Sequence, residues 1–212
     1  MQLFPVPSTK TLFNLYRDKD PRVDRPDADK IRRENFANYL NTFPRTPRIL
    51  LVGEAPGPWG YRFSGIPFTG ERQLILNALP FSGQQSSRDK PLLRLEKKPP
   101  FISNSSKYFW TALAQHHPKF FVWDAVPLHP HKPGKILSIR APTGEEITEF
   151  SGLMRSIIEI MRPKLILAVG RKAGQALTII GVPFQYVPHP SHGHAAEFAR
   201  ETERFFRKAG SL

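Results

Sequence analysis

The 212 residues contain no cysteine. That removes a disulfide framework, an iron–sulfur cluster, a thiolate nucleophile and every zinc site that needs a thiolate ligand. It also fits a reducing compartment. Long apolar runs are missing as well: none approaches the ~18–20 residues that span a bilayer, and the N-terminal stretch has no secretory hydrophobic segment. Membrane, secreted and fibrous classes are thereby set aside, and a cytoplasmic setting is expected, nucleoid-associated in a bacterium. Acidic residues are scarce: 18 Asp and Glu face 31 Lys and Arg, for a formal charge of +13 and a pI near 10.3. A field of that sign gathers phosphates, so a polyanionic partner is expected, against the plainer reading of an indifferent basic surface.

Hydrophobic residues make up 40% of the chain and aromatics 11%, enough for a packed core in one domain spanning 1–212. Residues 1–27 read as an irregular lead-in, and 82–106, polar, basic and proline-containing, as a mobile surface insertion. Between them, helical spacing of Ile31, Phe36, Tyr39, Leu40 and Phe43 predicts a helix over 28–43, followed by a buried strand over 48–52. Further helices are expected at 71–79 and 108–117, and a strand at 120–126. Thr143-x-x-Glu146 is a capping box that opens another helix, with a strand at 164–169 beyond it. A helix at 171–180, a strand at 184–187 and a helix at 195–209 complete the pattern. Short apolar strands alternating with amphipathic helices argue for a parallel sheet flanked by helices. Ligands of such sheets gather at the carboxyl ends of the strands, where loops 53–70, 127–135 and 188–194 would converge.

Those loops carry the unusual chemistry. Glu54 is the one carboxylate in the glycine-rich first loop, immediately after a strand. The loop is no phosphate cradle, because Gly65-Ile66-Pro67-Phe68-Thr69-Gly70 is followed by Glu71 rather than Lys and Ser or Thr, and no G-x-G-x-x-G is present. Phe68 could stack on a base, for about 1–3 kcal/mol, or anchor its loop to the core. Asp124 interrupts the apolar run from Phe120 to Val126. A buried carboxylate costs several kcal/mol unless paired or protonated, so either a structural ion pair or a catalytic role is implied. His189 stands beside His192 and His194, which opens a third possibility, a metal-dependent hydrolase.

Together these loops resemble the uracil-DNA glycosylase superfamily. Gly53-Glu54-Ala55-Pro56-Gly57 is similar to the first motif of its thermophilic family 4, and the continuation from Pro58 to Phe68 to that of the single-strand-selective monofunctional branch. His189-Pro190-Ser191 is similar to the second motif, and Lys164–Ala173 to the strand, turn and helix before it. The resemblance implies a three-layer α/β/α sandwich around a four-stranded parallel sheet, and hydrolysis of the N-glycosidic bond of a flipped-out uracil or other deaminated base in DNA. It implies that Phe68 stacks on the base, that His189 donates toward the base O2, and that Glu54 holds water or stabilises the cationic sugar. Ala55, Gly57 and Ser191 would line the base pocket. A monomer working without cofactor or metal is implied, with DNA as partner.

Four departures qualify the likeness. The family 4 iron–sulfur cluster has no cysteines to bind it. Ala55 stands where Asp or Asn often activates water. Gly57 replaces a Tyr that excludes the thymine methyl group. Asp124 occupies the strand position where relatives place the Asn that reads uracil. An ionised Asp can only accept hydrogen bonds and would repel uracil O4, whereas a protonated one could donate to O4 and accept from N3–H, or match cytosine N3 and N4–H2 in the other sense. Arg62, Arg72, Lys132, Lys135, Arg140, Arg171 and Lys172 are candidates for the DNA backbone, and His192 for a wedge in the duplex. The rival reading is a DNA-binding protein on the same fold with little or no glycosylase activity, motivated by Ala55 and Asp124.

Overall fold

A computed structural model describes residues 3–191 and 193–210. The chain opens with a two-residue strand β1 (Leu12–Phe13) and helix α1 (Ala28–Leu40). Strand β2 (Ile49–Gly53) leads through short helices α2 (Tyr61–Ser64) and α3 (Glu71–Ile75) to α4 (Asn104–Leu113). Strands β3 (Phe120–Asp124) and β4 (His129–Pro130) follow, then α5 (Gly144–Met161), β5 (Leu165–Val169), α6 (Arg171–Ile180), β6 (Gln185–Val187) and α7 (Ala195–Gly210). Four of the strands form one parallel sheet in the order β3–β2–β5–β6, while β1 pairs antiparallel with β4 outside it. None of the helices in the described residues is long and apolar enough to cross a membrane.

Helices cover both faces of the sheet, which is why β2 and β5 are almost continuously apolar. The side chains of β3 alternate between the two layers. Phe120 meets Phe109 and Trp110 of α4 and Phe206 of α7, whereas Phe121 and Trp123 meet Tyr39 and Phe36 of α1. The three-layer sandwich around four parallel strands is thus present. From β2 the chain crosses to one edge of the sheet through α4, and from β3 it returns past β2 to β5 and β6 through α5 and α6. The connections diverge at the carboxyl ends of β2 and β5, the position where doubly wound sheets form a crevice.

Element positions follow the sequence closely and boundaries shift. The capping box is present: Glu146 N–H donates to Thr143 Oγ1 at 3.2 Å and Thr143 N–H to the Glu146 carboxylate at 2.8 Å. Helix α1 stops at Leu40 and α3 at Ile75, both short of the expected ends. Helix α4 begins earlier than expected, because Ser103 caps it by accepting the Ser106 N–H at 3.1 Å.

Two segments are bound into the body, the irregular lead-in and the stretch expected to be a mobile insertion. The lead-in places Leu15, Tyr16 and Val23 in the core with no exposure, and buries Asp24 beside two arginines. Arg62 donates to both Asp24 oxygens at 2.7 and 2.9 Å, and Arg32 to one of them at 3.3 Å. Burial works against the Asp24 charge, but the two guanidinium groups and the Asp20 N–H outweigh it and hold the carboxyl below its ordinary value. Arg62 has no exposure and its guanidinium lies over the Phe13 and Phe63 rings, so it cannot reach a DNA phosphate as the sequence reading supposed. Likewise 82–106 is tied to the body rather than held off it. The Glu71 carboxylate accepts the N–H groups of Ser86 and Ser87 at 2.6 and 2.8 Å, the Ser87 hydroxyl at 2.7 Å and the Phe101 N–H at 3.2 Å.

Candidate active site

Parallel pairing sets Gly53, the last residue of β2, opposite Asp124, the last of β3. Asp124 shares a strand face with Phe120, so its side chain points toward the α4–α7 layer. There the carboxyl tip lies directly over Gly53. A β-carbon at that position would sit 2.1 Å from Asp124 Oδ1 and 2.7 Å from Phe68 Cε2, so only glycine fits. Phe68 itself holds φ +51, a conformation rare for an aromatic residue, and its ring stacks on Phe109 at 4.5 Å and 16°. Strain of this kind is retained where surrounding structure fixes it, often at functional positions.

His189 enters from the end of β6, its ring 5.8 Å from that of Phe68. Its β-carbon packs against Gly170, where φ is +90 and an added Cβ would come within 2.9 Å of it. The Ser191 N–H donates to His189 Nδ1 at 3.3 Å, and the Ser191 hydroxyl is 2.7 Å from the same nitrogen. A backbone N–H can only donate, so Nδ1 is the acceptor and the neutral ring carries its proton on Nε2. Ser191 thus orients the histidine.

Among the described residues, the two carboxyls of the site lack the donors that Asp24 and Glu71 have. Burial raises Glu54 above its ordinary value, and the nearby Lys172 charge partly counters it. Burial, then the Glu54 charge, pushes Asp124 well above its ordinary value. Asp124 is 3% exposed, and its Oδ1 has no hydrogen-bond partner among the described residues.

Ala55 is half-buried beside these groups and Gly57 is exposed in the same loop. Lys132, Lys135, Arg171 and Lys172 are exposed on loops or helix starts that follow β3 and β5, and Arg72 is exposed on α3. Arg140 is instead committed to Glu146, with bonds of 2.7 and 2.6 Å to its two oxygens. His192 lies outside the described residues. Among the described residues no three metal-ligating side chains come together, and His194 faces Glu197 at 3.2 Å while His189 faces Ser191.

Three supporting groups escaped the sequence reading. His129, buried, lies between the Pro56 carbonyl, 2.6 Å from Nδ1, and the Ile136 carbonyl, 2.8 Å from Nε2, which joins the first-motif loop to the one after β3. Burial lowers its pKa to about 4, so near neutrality it donates to one carbonyl at a time. Tyr16 donates to the Gly65 carbonyl at 2.7 Å and so receives the Tyr61 hydroxyl proton across 3.1 Å. The motif spacing gave no signal for any of them, since their partners lie 45 to 73 residues away apart from Ile136.

Residues 40–209 match the family model for the uracil DNA glycosylase superfamily. The chain belongs to that superfamily. Among solved structures, the wild-type SMUG2 crystal structure from Pedobacter heparinus is similar to it, with a TM-score of 0.61 at 16% identity over 95% of this chain and 88% of that one. Likeness at such low identity speaks to the fold. No curated protein sequence matches the chain. Superfamily membership supports DNA glycosylase chemistry in general, and the cysteine-free sequence leaves this member without the ligands of a family 4 cluster.

Proposed function

We propose that the protein is a monofunctional DNA glycosylase that hydrolyses the N-glycosidic bond of a flipped-out, deaminated or modified base, with water as nucleophile. The convergence of Glu54, Phe68, Asp124 and His189 at the carboxyl ends of the strands carries this reading. Phe68, backed by Phe109, offers a flat apolar wall for the base. His189, held in the Nε2–H form, can donate to the base O2 as negative charge builds there during bond cleavage. Glu54 is the carboxylate that can hold water and stabilise the positive sugar, a task that Ala55, with no polar atoms in its side chain, cannot share. Gly57 leaves room beside the base. Exposed Lys132, Lys135, Arg171 and Lys172 would grip phosphates.

His189→Ala is expected to lower single-turnover base release at least about 100-fold while DNA affinity changes little. Equal rates for the two proteins would remove His189 from the mechanism. Lys172 is a lysine whose charge acts on Glu54, so borohydride trapping is the test of the monofunctional assignment: no covalent protein–DNA adduct is expected. The binding-protein alternative predicts silence on every base in a panel of oligonucleotides, with salt-sensitive DNA binding retained.

A further inference from the structure

Among the described residues, four buried side-chain atoms lack a hydrogen-bond partner, and Asp124 Oδ1 is the one oxygen among them. Its surroundings explain which protonation state it holds. Oδ1 and the Phe68 ring edge both crowd the space where a Gly53 β-carbon would stand, and no hydrogen bond reaches Oδ1 there among the described residues. The ionisable group whose charge acts on it is Glu54 from the loop after β2, and a charge on Asp124 would in turn act on Tyr16 of the N-terminal segment and Tyr61 of α2. Neither tyrosine helps: the Tyr61 proton goes to Tyr16, and the Tyr16 proton to the Gly65 carbonyl. The cation in the neighbourhood, Lys172 at the start of α6, acts on Glu54. His189 contacts Phe68 and directs Nδ1 to Ser191. One negative charge on two neighbouring carboxyls therefore settles on Glu54.

We propose that Asp124 meets the flipped base as a neutral carboxylic acid, with Glu54 alone ionised, and that it accordingly offers the base one donor and one acceptor in place of two acceptors. The inference rests on the glycosylase reading above and states how that site would read the base. Against a ring carbonyl beside a ring N–H, the acid O–H donates to the carbonyl and the acid C=O accepts from the N–H, a matched pair of bonds. Uracil presents this edge as O4 and N3–H and hypoxanthine as O6 and N1–H, while the acid turned the other way matches cytosine N3 and N4–H2. Ionised, the same side chain would set two acceptors against the carbonyl and reject uracil and hypoxanthine. One charge thus serves two tasks, since the ion that keeps Asp124 neutral is the ion that holds the water.

The test combines spectroscopy with kinetics. Infrared difference spectra of the free protein, wild type minus Asp124→Asn, are expected to show a protonated carboxyl C=O band near neutral pH. Glu54→Gln should shift the loss of that band to lower pH, because the neighbouring charge is gone. With uracil DNA under single-turnover conditions, the wild-type rate is expected to fall about tenfold per pH unit on the alkaline side as Asp124 ionises. Asp124→Asn should lack that limb. Hypoxanthine should show the same wild-type limb. No protonated band, or a shared alkaline limb in both proteins, would overturn the proposal. The band present with no base released by any form would instead overturn the glycosylase reading and leave the neutral acid standing.

Discussion

Asp24 and Asp124 are 1% and 3% exposed, and the fold treats them in opposite ways. Asp24 is surrounded by donors: two guanidinium groups and the Asp20 N–H, 2.7 Å away. It is held ionised and stitches the N-terminal segment to α1 and α2. Asp124 Oδ1 has no donor among the described residues. In donors the same split separates the two glutamates, although burial raises both: Glu71 accepts four hydrogen bonds, and Glu54 has, among the described residues, a nearby lysine charge and no hydrogen bond. A buried acid that builds the fold is saturated by its own chain. The acids of the site keep their hydrogen-bonding capacity for something that the chain does not contain.

The sharpest way to break this contrast is to remove the saturated acid. Asp24→Ala strands two guanidinium groups that have no exposure, and an orphaned buried charge costs about 3–5 kcal/mol. Urea unfolding should show a loss of that size; a loss below about 1 kcal/mol would mean that Asp24 is not a keystone. The pH dependence has a definite sign. The native Asp24 pKa lies below its unfolded value, so its contribution is fully present above about pH 4–5 and is lost as pH falls through the native value. Glu71→Gln should cost less, about 1–3 kcal/mol, because the new amide NH2 must face a donor. Asp124→Asn should change stability by under about 1 kcal/mol near pH 4, since it exchanges one neutral group for another of the same shape. Above that, the native state of the wild type holds a proton that the unfolded chain has released, so wild-type stability falls with rising pH and the variant gains relative to it. Parallel stability curves for the two proteins between pH 5 and 9 would show Asp124 ionised in the native state.

The strands and the site loops were legible because their signals are local. Ile49 to Val52 and Leu165 to Val169 are apolar runs bounded by turns, and Asp124 stands out as a charge inside such a run. The charge partners were not legible. Arg62 stands among the first-motif residues and reads as a DNA contact until Asp24, 38 residues upstream, is seen beside it. The donors that fix residues 86–101 become visible only once Glu71 is known to be buried, and a polar, proline-containing stretch looks equally loose with or without that anchor. The start of α4 was missed for a different reason: Asn104, Ser105 and Ser106 have turn-like composition, and the cap on Ser103 outweighs it.

The contrast between saturated and unsaturated charge extends to the surface cations, where its effects are smallest. Arg140 and Lys132 lie on the same connection between β3 and α5, and sequence reading made both candidates for the DNA backbone. Arg140 spends its guanidinium on Glu146 and on the Thr11, His131 and Ala141 carbonyls, whereas Lys132 is exposed with no ion pair among the described residues. A phosphate contact releases counterions, so each one lost lowers the slope of log affinity against log salt by about 0.7 to 0.9. Lys132→Ala should therefore flatten the slope by roughly one ion, a change of a few-fold in affinity at moderate salt. Arg140→Ala should leave the slope in place and lower the unfolding free energy instead, because the group it releases is the Glu146 cap of α5 rather than a phosphate. Equal slope changes in the two variants would show that an arginine saturated within the protein is still free to bind DNA, and the rule drawn from Asp24 and Asp124 would then stop at the protein surface.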